Sequence, residues 1–134
     1  MNTIQPRLKP LSALVCDDTR KEISGKDIII GAYGGDILLG SLPSSITLSL
    51  WISLETSGEG EIHTDIRVLN SEGNVLVGLD GSVNLSSRGH YSSLFTPRFR
   101  ISIDKPTKLR FQFRSGRGRW KTLLTKNVLA RESS

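Results

Sequence analysis

Apolar and polar residues alternate with a period of two along most of this chain. Ile46, Leu48, Leu50, Ile52 and Leu54 alternate with Thr47, Ser49, Trp51, Ser53 and Glu55. Successive side chains of a strand point to opposite faces, so the spacing predicts a strand over 46–55 with one face in a core. Residues 61–69 repeat the pattern, with Ile62, Thr64, Ile66 and Val68 on one side and His63, Asp65 and Arg67 on the other. A polar turn at 70–74 then sends the chain back into a strand over 75–79. Phe99, Ile101 and Ile103 alternate with Arg98, Arg100 and Ser102, and Leu109, Phe111 and Phe113 with Arg110, Gln112 and Arg114. Residues 115–118, Ser-Gly-Arg-Gly, predict a hairpin tip, and 119–125 its return strand. No window keeps a helical period beyond a turn or two. The pattern predicts an all-β, single-domain antiparallel β-sandwich, immunoglobulin-like in general layout, with a barrel as the other option.

The N-terminal part predicts a hairpin of strands near 11–18 and 27–33. Leu14 to Cys16 and Ile28-Ile29-Ile30 are short β-favouring runs. Gly25 between them can take the positive φ of a hairpin turn. Gly31, inside the second run, marks a bulge or a close backbone approach. Residues 37–39 start another short strand, and 40–45, with Pro43, form a connector. The sandwich spans 11–125. Residues 1–10, with Pro6 and Pro10, form an arm, and 126–134 a tail. The segment 80–96 holds many serines and few large apolar residues, so it reads as a long loop, with a strand crossing it near 83–85.

Cys16, Asp17, Asp18, Arg20, Glu22, Gly25 and Lys26 follow a C-D-D-x-R-x-E-x-x-G-K pattern. Ile30, Gly31, Tyr33, Asp36 and Ile37 follow I-G-x-Y-x-x-D-I. The stretch resembles the start of a family of small, uncharacterised bacterial and phage-associated proteins, a domain of unknown function. Ser24 stands where that pattern often has Gly. The resemblance implies a β-sandwich and transfers no catalytic residue. It also makes a phage- or host-directed regulator or inhibitor conceivable.

A chain of 134 residues is one domain by size and can bury a core without disulfides. Cys16 is the only cysteine, which excludes an intrachain bridge. The first ten residues do not read as a signal peptide, and no run approaches a membrane helix. The expectation is a soluble, cytoplasmic protein that needs no membrane. The net charge of +5 is unevenly spread. Residues 97–134 hold eleven Lys and Arg against Asp104 and Glu132, whereas 1–96 hold seven basic and eleven acidic residues. Such asymmetry steers an acidic partner or draws copies of the chain together.

The first candidate site is the basic face of the last strands: Arg98, Arg100, Arg110, Arg114, Arg117, Arg119 and Lys121. If their strands are neighbours, these side chains form one cationic patch. Trp120, by alternation with Lys121, is expected on the opposite side. Guanidinium forks suit phosphates and carboxylates. A solvated sheet face shielding its edges is the plainer reading. The second candidate is the 80–96 loop, with Arg88, His90 and Tyr91, together with Trp51 on the polar face of its strand.

Asp17 and Asp18 point to opposite faces, with Arg20 or Lys26 as possible ion partners, so they make no acid–base pair. His63 and Asp65 share a face, and His90 as a third metal ligand is a weak option. Cys16 reads as a buried thiol. None of the hydrolase, phosphate-loop or zinc motifs occurs. We therefore expect no enzyme, no cofactor and no metal. The expected role is a binding module for an acidic protein or for a second copy of itself. The alternative is nucleic-acid binding through the basic C-terminal hairpin.

Overall fold

In the computed structural model, residues 5–86 and 89–131 are described. They form ten strands: β1 (Arg7–Lys21), β2 (Asp27–Ala32), β3 (Ile37–Leu39), β4 (Ser44–Ser57), β5 (Gly60–Leu69), β6 (Val75–Leu85), β7 (Tyr91–Phe95), β8 (Phe99–Ile103), β9 (Thr107–Ser115) and β10 (Lys121–Ala130). One sheet runs β2-β1-β4-β7, with β8 also on β4; the other runs β3-β10-β9-β5-β6. All pairs are antiparallel except β3 with β10. One of the two sheets curls into a half-barrel.

β4 organises the first sheet. Its residues 49–57 pair with β1. Along its other edge β7 pairs with 51–55 and β8 with 44–48. Thr96 makes that handover: its N–H donates to the Leu50 carbonyl, and its hydroxyl accepts from the Leu50 N–H at 3.0 Å. Leu48, Leu50, Ile52 and Leu54 are buried on the inner face of β4, as the alternation requires. They join Ile66 and Val68 of β5, Ile101 and Ile103 of β8, and Leu109, Phe111 and Phe113 of β9 in one core. Each such side chain contributes about 1.5–3 kcal/mol when fully removed from water.

The predicted hairpins form. β1 and β2 pair through a turn in which Gly25 has φ +92°. The tip between β9 and β10 uses Gly116 at φ +57°. Gly31 is a close approach: it has φ +67°, and a Cβ there would overlap the Asp17 carboxylate.

Three expectations need correction. Residues 7–10 of the predicted arm belong to β1, and Leu8 is buried opposite Thr56. Pro10 is tolerated there because the β1–β4 register shifts between Pro10 and Ser12. The predicted tail from 126 continues β10 to Ala130, with Val128 fully buried against β3. Most of the predicted loop 80–96 is strand, because β6 runs on to Leu85 and β7 starts at Tyr91. Both lie at sheet edges. An edge strand with one wet face needs few large apolar residues, so Gly, Ser and Asn suffice there.

Candidate binding face on the second sheet

β5 sits between β6 and β9, and this placement assembles the site. With Thr64, Ile66 and Val68 turned inward, His63, Asp65 and Arg67 project from the outer face. On β9 the buried Phe111 and Phe113 leave Arg110 and Arg114 outward, with Gln112 between them. Asp65 lies opposite Arg114, and Arg67 opposite Gln112.

Two hydrogen-bonded chains cross these strands. Arg114 Nε donates to Asp65 Oδ2 at 2.9 Å, and His63 Nε2 lies 3.0 Å from Asp65 Oδ1. The Arg114 bond, aided by His63, holds the Asp65 carboxyl below its ordinary range against the opposing effect of burial. Arg67 Nε donates to Gln112 Oε1 at 2.8 Å, and Gln112 Nε2 donates to Thr122 Oγ1 at 3.1 Å.

Trp120 lies across both arginines. Its ring centroid is 4.0 Å from Arg67 Cζ and 4.4 Å from Arg114 Cζ. Cation–π contacts of this kind contribute about 0.5–1 kcal/mol each at exposed sites. Each guanidinium is therefore fixed twice, at Nε and on its stacking face. Among the described residues, no side chain bonds the terminal nitrogens of Arg67 or Arg114. The result is a rigid aromatic plate flanked by oriented donors.

This placement reverses the expectation for Trp120 and Lys121. Trp120 is on the arginine face, whereas Lys121 stands opposite the inward Phe113 and is exposed where β10 begins. The predicted single patch is also divided. β8 pairs with β4 and β9 with β5 and β10, so their arginines lie on different sheets. Arg98 is exposed before β8, and Arg100 on β8 donates from Nε to Ser45 Oγ at 2.9 Å. Arg110 and Arg114 lie on β9, with exposed Arg117 and Arg119 at its tip. The Gly116 N–H bonds the His63 carbonyl at 2.7 Å and so seats that tip beside β5.

The second candidate group is dispersed. Tyr91 is exposed at the start of β7, and His90 just before it accepts from the Thr56 N–H through its carbonyl. Arg88 lies outside the described residues. Trp51 is half-buried, not a free surface aromatic. Its Nε1 donates to Asp27 Oδ2 at 2.9 Å, and the Ser93 hydroxyl also donates to Asp27. The β1–β2 hairpin thus folds back over β4 and β7. Burial pushes the Asp27 carboxyl up, but the Ser93 and Trp51 bonds and the Lys21 charge outweigh it and the net direction is down. Lys21 Nζ is 3.4 Å from Asp27 Oδ1, an ionic contact that leaves this oxygen without a hydrogen bond.

Of the acidic pair, Asp18 meets Arg20 at 3.4 Å, and Asp17 accepts from the Tyr33 hydroxyl at 3.1 Å. Cys16 is fully buried, and burial pushes its thiol up. No group of three His, Cys, Asp or Glu side chains comes together among the described residues, so His90 does not join His63 and Asp65.

Arg67 was legible as an outward residue but not as a site member, because its contact with Gln112 spans 45 positions of sequence. No family model matches the chain, and no curated protein sequence matches it.

Proposed function

We propose that the chain is a non-catalytic binding module that engages an acidic protein partner through the outer face of β5, β9 and β10. The scaffold in this reading is a β-sandwich, immunoglobulin-like in general layout. The observation that carries the proposal is Trp120 stacked on Arg67 and Arg114. Tryptophan and arginine are the residues most often responsible for binding energy at protein interfaces. Here both arginines are held before any partner arrives, so little side-chain freedom is lost on binding. Arg117 and Arg119 beside the plate raise the rate of encounter with an acidic surface. In this reading the chain turns over no substrate, holds no cofactor and works in the cytoplasm.

A second reading, nucleic-acid binding, draws on the same exposed arginines at the tip. One experiment separates the two. Fluorescence anisotropy is measured on a labelled Asp/Glu-rich peptide pool and on a mixed pool of duplex and single-stranded oligonucleotides, across a salt titration. The proposal expects peptide binding that Trp120→Ala weakens about tenfold or more, about 1.4 kcal/mol. Arg100→Ala, on the other sheet, leaves it unchanged. Oligonucleotide binding with a log–log salt slope of about −4.5, the mark of about five phosphate contacts on duplex, would refute the proposal if acidic peptides stayed unbound.

A further inference from the structure

Two depressions flank the same stretch of β6. The outer one, about 340 Å³, is lined by Asp65, Arg67, Gly78, Asp80 and Trp120 among others. The inner one, about 170 Å³, opens where β6 meets β7 and is lined by Leu79, Gly81, Leu94, Phe95 and Pro97 among others. Leu79 and Asp80 border both.

β6 ends its sheet, with β5 as its only ladder partner among the described residues. Alternate residues therefore turn N–H and C=O groups toward an open edge. Natural edges are commonly short or guarded by Lys, Pro or bulges. β6 is 11 residues long, contains neither Lys nor Pro, has one charge, Asp80, and carries its one register shift near its start, at Leu76, so the edge from Val77 to Leu85 is regular. Gly78 stands opposite Arg67. A Cβ at Gly78 would meet nothing within 4 Å, and its φ is not positive. Neither backbone nor packing calls for glycine there, and its effect is to keep the outer depression open to an approaching chain.

We infer that the open edge of β6 takes up an extended segment of a partner protein as an added strand, with apolar side chains along one face and an acidic side chain beside Gly78 on the other. This rests on the reading of the arginine face as a protein-binding surface and names what it binds. Alternate side chains of an added strand leave on opposite faces, about 7 Å apart along each face. One set enters the apolar seam beside Leu79, Leu94 and Phe95. The other lies in the outer depression beside the free donors of Arg67 and the Trp120 ring. A carboxylate fits beside Gly78, because the terminal groups of the facing Arg67 are unbonded by side chains among the described residues, whereas the position beside Asp80, which stands opposite Asp65, takes a neutral or basic side chain. A second copy fits poorly. Two β6 strands paired antiparallel about their midpoint bring Asp80 against its counterpart, and directly opposed like charges are destabilising.

The test selects random decapeptides displayed on phage against the full chain. Enriched peptides are synthesised, their affinities measured, and hydrogen exchange of the bound protein followed. The expected result is enrichment of apolar residues at alternate positions with one Asp or Glu set between them, with slowed exchange across 75–85. Gly78→Glu, which fills and recharges the depression without a Cβ clash, weakens binding at least tenfold, while Gly78→Ala has little effect. Protection confined to 112–122, with 75–85 unchanged, overturns the added strand yet leaves the arginine face as a protein-binding surface. An absence of enriched peptides, an unaffected Gly78→Glu, or a dimer protected along β6 likewise overturns it.

Discussion

Replacing Gly31 with alanine isolates how the N-terminal hairpin is built. Gly31 lies directly opposite Asp17, between the Cys16–Ala32 and Asp18–Ile30 pairs. At φ +67° an L-residue suffers about 1–2 kcal/mol of strain. The new Cβ would also lie 2.8 Å from Asp17 Cγ, so the carboxylate must swing away. It then gives up the hydroxyl of Tyr33, a bond of about 0.5–1 kcal/mol at this exposed site. Alanine returns about 0.5 kcal/mol by restricting the unfolded chain. Gly31→Ala is thus expected to destabilise by about 2 kcal/mol, and Asp17→Ala by about 1 kcal/mol or less. The double variant should cost no more than Gly31→Ala alone, because the Tyr33 bond can be lost only once. Urea unfolding of the four proteins completes the cycle, which should show a coupling of roughly 0.5–1 kcal/mol. Strict additivity, or a Gly31→Ala protein as stable as wild type, would refute the close-approach account.

Two further outcomes are expected. Asp27 has its carboxyl held below the ordinary range in the folded protein. Its stabilising effect is therefore complete above the unfolded-state pKa and fades as pH falls through the folded one. Urea unfolding monitored by tryptophan fluorescence should show a loss toward acid that Asp27→Asn reduces, and identical pH slopes would count against the hairpin latch. Phe111→Ala should cost about 3–5 kcal/mol, since the ring is fully buried between the sheets. A loss under 1 kcal/mol would mean that β9 does not hold the core together.

Period-two alternation alone settles which side chains of β4, β5, β8 and β9 face inward. Leu48, Leu50, Ile52, Leu54, Phe111 and Phe113 are all buried where it puts them. That much is legible because the alternation of faces is a property of a single strand. The glycines at 25, 31 and 116 were legible for a related reason, since a positive φ is a local demand. The ends of β1 and β10, and the whole of β7, were not legible. Pro10, Lys126 and the serines of 92–93 argue against strand locally, and only pairing with β4, β3 and β9 makes them strand.

The binding face belongs to the tertiary structure almost entirely. Alternation shows that Arg67, Arg110 and Arg114 point outward, but not which strands stand side by side. Placing β5 between β9 and β6 brings Arg67 to Gln112 and opens the depression beside Gly78. Placing β8 on β4 takes Arg98 and Arg100 away to the other sheet. The tip of the last hairpin lays Trp120 over two arginines, against simple alternation. Strand order is decided by packing the sheets' inner faces into one core, a long-range condition that no local pattern encodes. Faces can be read one strand at a time, whereas neighbours, edges and sites exist only once the strands have met.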